Sequence, residues 1–361
     1  MSASTGRDFE GGAGGGETAG MGFVRIGTRA SALALTQTGH VADALARLGG
    51  FDVETVHVRT DGDRLTGSLA SLGGTGVFVT ALRDALLEGR CDVAVHSLKD
   101  LPTAPAPGLT IAAVPLREDP RDVLCARDGL TLRELPTGAR VGTGSPRRAA
   151  QLLAARPDVE VVDIRGNVDT RLGRVAGTTN GPGDLDAVVL ARAGLARLGR
   201  LDAVTQVLDA DVMLPAPGQG ALAVEVRTAD LVDPPTPELA ALATALAALD
   251  HRPTRLAVAA ERALLARLEA GCAAPVGALA RVSDDPERTG AVDVEAVVAR
   301  TDGTATLRRG LSSTRVAPGS GPLEADEQAA ADAGTALADL LLEDGAAELA
   351  PLGPMSGQGP A

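Results

Sequence analysis

Tryptophan and tyrosine are absent from the sequence, and phenylalanine occurs only four times in 361 residues. So few rings leave little on which single-stranded nucleic acid could stack. The cores must instead be packed from Val, Leu, Ile and Ala, which suits parallel strands covered by Ala-rich helices. A basic surplus is lacking too. The net charge of −13 argues against a general nucleic-acid binder, which needs a basic face for phosphates. A cleft can still be locally positive, because a ligand responds to the field where it binds. The three cysteines, Cys91, Cys125 and Cys272, form no CxxC pair, and the four histidines show no metal-ligand spacing. Neither a disulfide framework nor a metal site is expected, and reduced cytoplasmic thiols are the simplest reading. No apolar run reaches membrane-spanning length and no basic-then-apolar leader opens the chain, so no membrane association is expected. There is no G-x-S-x-G elbow and no dinucleotide fingerprint after a strand.

What is present is an alternation of short apolar strands and helical segments. Residues 1–21, rich in glycine, read as a disordered tail. From Phe23 the pattern runs strand, helix, strand, and a second such cycle begins at Arg140. This argues for α/β lobes built on parallel, doubly wound sheets. The openings of the two cycles, V-R-I-G-T-R-A-S and A-R-V-G-T-G-S-P, resemble one another and suggest related lobes. L-R-E-D-P-R-D (116–122) reads as a hinge, and P-G-Q-G-A (217–221) as a turn into a strand crossing between lobes. After Pro234-Pro235, two helices, alternating strands and a final helix near 323–343 suggest a smaller α+β domain.

Arg147 and Arg148 follow Gly-Ser-Pro, a helix start capped by Ser145. Cations there oppose the helix dipole, so a carboxylate or phosphate between them would explain the placement. A solvated arginine pair is the plain alternative. Arg29, followed by the cap Ser31, repeats the logic after the first strand, and Arg165 follows strand V-V-D-I. Asn167 and Arg171 lie four apart on one helix face. Arg197 stands near a helix end, where a cation is unremarkable. In doubly wound sheets the loops after strands line the ligand crevice, and Arg29, Arg147, Arg148 and Arg165 all occupy such loops. Lys99, the single lysine, and Asp100 follow strand C-D-V-A-V-H. Lys99 can act as a compact point charge, and Asp100 can stabilise a developing cation or move a proton. Either can equally be a chance survivor or a turn residue. Cys272, in G-C-A-A-P, sits on a tight loop where a thiolate can react, whereas Cys91 and Cys125 lie in apolar strand-like runs. Gly73-Gly74-Thr75-Gly76 lacks the Lys-Ser/Thr of a nucleotide loop and reads as a lid.

Together these segments resemble the porphobilinogen deaminase (hydroxymethylbilane synthase) family. RIGTRASALAL, DVAVHSLKDLPT, REDPRD, VGTGSPRR, IRGNVDTRL, AGLARLG, LPAPGQGALAVE and AERALLARLEAGCAAPVGA occur in the family's order across about residues 23–281. The resemblance implies two lobes like those of periplasmic binding proteins and a third domain carrying the cysteine loop. It divides the chain into domain 1 (22–117 and 220–238), domain 2 (121–214) and domain 3 (250–353). It implies that Cys272 holds a dipyrromethane cofactor through a thioether. Four porphobilinogens would be added to that primer with loss of ammonia, and hydrolysis would release the tetrapyrrole. Asp100 matches the aspartate that stabilises the cationic pyrrole intermediates. Arg29, Ser31, Lys99, Thr143, Ser145, Arg147, Arg148, Arg165, Asn167, Arg171 and Arg197 match positions lining the cofactor and substrate cleft.

The residues agree with this chemistry, because a growing chain of acetate- and propionate-bearing pyrroles accumulates carboxylates that arginine forks can bind. Departures from the family pattern are Ser71 and Thr75 where the lid often carries lysines, Gly144 where serine is frequent, and Ala270 and Ala273 beside Cys272. One rival is a non-catalytic binding protein on the same two-lobed scaffold, which leaves Cys272 and the third domain unexplained. Another is a thiol-dependent transferase without a bound primer, which predicts a free, alkylatable Cys272. A monomer is expected, since no apolar surface stripe suggests a partner.

Overall fold

The structure, a computed structural model, describes residues 22–58, 76–178, 180–270, 274–283, 290–313, 322–350 and 352. The tail, Gly73 to Thr75, Ser71, Cys272 and Ala273 lie outside the described residues.

The chain opens with β1 (Phe23–Thr28), α1 (Ala32–Gly49), β2 (Asp52–His57), α2 (Gly76–Leu87), β3 (Val93–Ser97) and β4 (Leu109–Ala113). Ser31 caps α1 by accepting from the Ala34 N–H at 3.3 Å, and Gly50 ends it in the left-handed region at φ 66°. The chain then crosses and builds β5 (Asp122–Ala126), β6 (Arg140–Gly142), α3 (Pro146–Ala155), β7 (Glu160–Val162), α4 (Val168–Leu172), β8 (Ala187–Ala191), α5 (Arg192–Arg197) and β9 (Gln206–Leu208). It returns through β10 (Leu222–Arg227), α6 (Thr228–Val232) and α7 (Pro237–Leu249). Last come α8 (Arg252–Arg267), β11 (Val276–Val282), β12 (Val292–Ala299), β13 (Thr306–Ser312), α9 (Leu323–Glu343) and α10 (Ala346–Leu349).

The first sheet has the order β2-β1-β3-β10-β4 and the second β7-β6-β8-β5-β9. The parallel pattern expected from sequence holds for β1 with β2 and β3, and for β6 with β7 and β8. One strand in each sheet runs the other way: β10 pairs antiparallel with β3 and β4, and β5 with β8 and β9. These are the two strands delivered by the crossings. Each enters its sheet from the other lobe and takes the fourth place in the order. β1 and β6, whose openings resemble one another in sequence, hold the same second place.

The first core joins Val24, Ile26, Val93 and Val224 to Leu242 and Leu246 of α7. In the second lobe, Leu124, Val141, Leu152 and Val189 form one face of the core. The third sheet, β11-β12-β13, is antiparallel and packs Ala278, Val294 and Val298 against Ala260 and Leu264 of α8 and Leu337 of α9. Sequence periodicity finds β12 and β13 but not β11. Its run V-G-A-L-A-R-V follows Pro275 directly and is apolar on both faces for five residues, so no alternation marks it.

Candidate functional site

The two crossings run side by side between the lobes. Arg117 to Arg121 lead out of the first sheet and Pro215 to Ala221 lead back. The Glu118 N–H donates to the Gly220 carbonyl at 3.3 Å. Gly220 takes φ +88°, and a Cβ there would lie 2.5 Å from the Glu118 oxygen, so this close approach needs glycine.

Lys99 and Asp100 occupy a single 3-10 turn, Leu98–Asp100, at the carboxyl end of β3, and both are half-buried. The Lys99 ammonium donates to Gln219 Oε1 at 3.3 Å. Burial pulls its pKa down to about 8, with Arg148 and Arg147 adding to the effect while Asp100 and Asp122 oppose it. The Asp100 carboxylate makes no hydrogen bond or ion pair with a side chain among the described residues.

Across the crossings, Arg147 and Arg148 open α3 and are 4% and 6% exposed, so the solvated-pair alternative does not hold. A carboxylate does lie between them, and it is the chain's own. Asp122 at the start of β5 accepts from Arg147 Nη1 at 2.8 Å and from Arg148 Nε at 3.0 Å. Arg147 also donates to the Leu214 carbonyl at 2.6 Å and Arg148 to that of Val189 at 3.2 Å. The two guanidiniums are thereby fixed before any ligand enters. Thr143 is buried, and its hydroxyl accepts from the Ser145 N–H at 3.2 Å. Ser145 takes the extended cap conformation, but its side chain makes no capping bond, contrary to the sequence expectation. Gly144 stands where a Cβ would meet the Ile164 carbonyl oxygen at 2.5 Å, which accounts for glycine at this position.

The remaining predicted residues fall into two groups. Arg165, Asn167 and Arg171 share the segment after β7. Asn167 Oδ1 accepts from the Thr170 N–H at 2.9 Å and caps α4, while Arg171 Nε donates to the Gly166 carbonyl at 2.9 Å. Burial lowers the Arg171 pKa, and the nearby Arg148 and Arg165 push it further down. Arg165 is exposed and pairs with Asp163 at 3.3 Å. Arg29 and Ser31 stand at the start of α1, at the carboxyl end of β1. Arg197, by contrast, is bound to the crossing: Nη2 donates to the Gly220 carbonyl at 2.7 Å, holding α5 to the returning chain.

Sequence reading missed two residues of this cluster. Asp122 closes the hinge L-R-E-D-P-R-D, and Gln219 is one position in the turn P-G-Q-G-A; the two segments were legible as hinge and crossing, but neither side chain was marked. Gln219 is 1% exposed, and its Nε2 donates to the Pro120 carbonyl at 2.7 Å and to Asp122 Oδ1 at 2.8 Å.

The cluster suits an anion with several carboxylates. Among the described residues, Lys99, Arg171 and Arg197 are desolvated cations that make no ion pair with a carboxylate, whereas the buried arginines 147 and 148 are already paired. Nearby carboxylates, Asp100 and Asp122 for Lys99, Asp163 for Arg171 and Glu118 for Arg197, offset this desolvation without contact, so a ligand carboxylate in contact would reduce its cost. Among the described residues no His/Cys/Asp/Glu cluster could hold a metal, and no helix is long and apolar enough to cross a membrane.

Two family models match the chain. The porphobilinogen deaminase dipyromethane cofactor binding domain covers residues 24–232, and the porphobilinogen deaminase C-terminal domain covers residues 255–343. A porphobilinogen deaminase of Leifsonia xyli is 57% identical over 331 residues, 92% of this chain and 95% of the relative. That of Micrococcus luteus is 58% identical over 82% of each chain, and that of Cutibacterium acnes 56% identical over 92% and 98%.

Proposed function

Given that the chain belongs to the porphobilinogen deaminase family, we propose that Asp100 is its catalytic carboxylate and Cys272 its point of cofactor attachment. The protein is an enzyme of tetrapyrrole biosynthesis that polymerises porphobilinogen on a dipyrromethane cofactor with release of ammonia, then frees hydroxymethylbilane by hydrolysis. When bound, the dipyrromethane supplies the pyrrole carbon from which the product grows. Lys99, Arg148, Arg165 and Arg171 hold acetate and propionate groups, and Arg147, fixed by Asp122, keeps the field of the cleft positive. Arg29, Ser31, Thr143, Ser145 and Asn167 line the same cleft and orient the rings by hydrogen bonds. Arg197 acts one step away, by holding the returning crossing.

Asp100 carries the chemistry in this reading because its carboxylate is free to act. It accepts no side-chain hydrogen bond from the described residues, so its lone pairs are open to the substrate. Held in a half-buried turn, it opposes the positive charge that departing ammonia leaves on porphobilinogen, and it takes the proton lost when the new bond forms. The thiolate of Cys272 reacts once and thereafter acts as a tether. That makes each addition effectively intramolecular. The single observation that supports this best is the convergence of Lys99, next to Asp100 in its turn, and Arg148, from the other lobe, on the Gln219 oxygen. The three domains, a monomeric state and a cytoplasmic location belong to the same proposal.

Intact mass of the purified protein tests the attachment. The wild type should exceed its sequence mass by one dipyrromethane, and Cys272→Ser should not. An unmodified wild type whose Cys272 alkylates freely, and which gains no mass on incubation with porphobilinogen, would falsify the tether and favour a simple thiol enzyme.

A further inference from the structure

We propose that Gln219 is a positioning residue that joins Lys99 of one lobe to Arg148 of the other, so that the two cations meet pyrrole carboxylates as a pair. The inference rests on the reading that these cations hold carboxylates.

A side-chain amide has one accepting end and one donating end. At Gln219 the donating end is committed, because the Pro120 carbonyl at 2.7 Å and the Asp122 carboxylate at 2.8 Å can only accept. The oxygen must therefore point the other way, where it accepts from Lys99 Nζ at 3.3 Å and from Arg148 Nη2 at 3.5 Å. One buried amide thus touches the outgoing crossing through Pro120, the second sheet through Asp122, α3 through Arg148 and the catalytic turn through Lys99. Its backbone is fixed as well. The Gln219 carbonyl accepts from Arg117 Nε at 2.8 Å, and a Cβ at the neighbouring Gly218 would stand 3.2 Å from the Lys99 backbone nitrogen.

No other side chain type does this. Glutamate would keep the two cations but lose both donated bonds and set a second anion against Asp122. Methionine fills the space with no polar end. A swing of Lys99 or Arg148 away from the crossing would separate two charges that a bound carboxylate needs together, as a bidentate site does.

Lys99 is the only lysine in the chain, so lysine labelled with 13C at Cε gives one protein resonance that reports its titration directly. The charged groups around it are Asp100 in its own turn, Asp122 on β5, and Arg147 and Arg148 on α3. In Gln219→Glu an opposite charge beside the ammonium should move its titration up by about 1–3 pH units. In Gln219→Met, loss of the acceptor should move it down. If the pair serves binding, the alkaline limb of kcat/KM for porphobilinogen should move with the resonance in both variants.

A resonance that stays in place in both variants overturns the role of Gln219. If the wild-type limb still follows the Lys99 resonance in that case, the carboxylate-binding reading survives. A resonance that moves while the limb does not would show that the Lys99 charge is not used on substrate, and both inferences would fall together. If neither variant melts cooperatively by calorimetry, Gln219 is a structural residue and the proposal fails.

Discussion

Asp122 is fully buried, and its two oxygens serve Arg147, Arg148 and Gln219. Burial pushes its pKa up, but Arg147 and Arg148 outweigh that and bring it down to about 2. A carboxyl depressed from about 3.9 stabilises the fold above that pH by roughly 2–3 kcal/mol, and the contribution is lost as pH falls through about 2. Asp122→Asn should therefore lower stability by about 3–5 kcal/mol near neutrality, because two guanidiniums lose their buried counter-ion. In urea titrations the gap between variant and wild type should narrow between about pH 4 and pH 2. A gap that stays constant through that range would mean that the carboxylate charge is not what holds the arginines. The arginines were legible in sequence because G-S-P-R-R marks a helix start. Their partner was not, because it lies 25 residues earlier and only the register of β5 beside β8 brings it there. Lys99 stood out by its rarity and Cys272 by its loop. Gln219 had no such mark, since nothing local distinguishes a buried amide from one in an open turn.

α8 shows the same division between what a segment declares and what packing decides. Its span was legible from Pro253 at its start and from the run of Ala and Leu. Glu261, the one acidic residue of the helix, drew no notice in that pattern, and it is 0% exposed. The helix is covered on several sides, by β11, by α9 and by the two crossings. Glu261 takes two bonds from Arg117, at 2.7 and 2.9 Å, and one each from the N–H groups of Gly218 and Ala280, at 2.6 and 2.8 Å. One carboxylate on one helix therefore secures the outgoing crossing, the returning crossing and the third sheet. Glu261→Gln keeps the shape but removes the charge and places an N–H where only acceptors fit. We expect it to destabilise by about 3–5 kcal/mol. Paired with Arg117→Met, it should cost less than the sum of the single changes, by at least about 0.5 kcal/mol in calorimetry-checked unfolding. Strict additivity would mean that the two groups do not act as a pair. The reversed directions of β5 and β10 escaped sequence reading for a related reason. Strand direction is set by where a crossing re-enters, and no residue in the strand itself records that.

At the scale of the whole molecule, two fields oppose each other. The chain carries a net charge of −13, and its substrate is an anion at neutral pH, so the distant field repels what the site must bind. Around Gln219 the local field is reversed, with Lys99, Arg148 and Arg147 set against Asp122 and Asp100, and Arg171 near Arg148. Salt separates the two. The Debye length falls from about 30 Å at 0.01 M to about 3 Å at 1 M, so low concentrations of salt first remove the distant repulsion and higher ones then screen the cleft. If capture were governed by the surface, kcat/KM for porphobilinogen should rise steadily with ionic strength. If the cleft governs, it should fall once the Debye length drops below the size of the site, at about 0.1–0.2 M. We expect the fall, preceded at most by a small rise. The fall should be shallower in Gln219→Met, where the paired cations no longer act from one point. A monotonic rise in both proteins would place recognition in shape and hydrogen bonding, and would leave the arginines of the crossings a purely structural task.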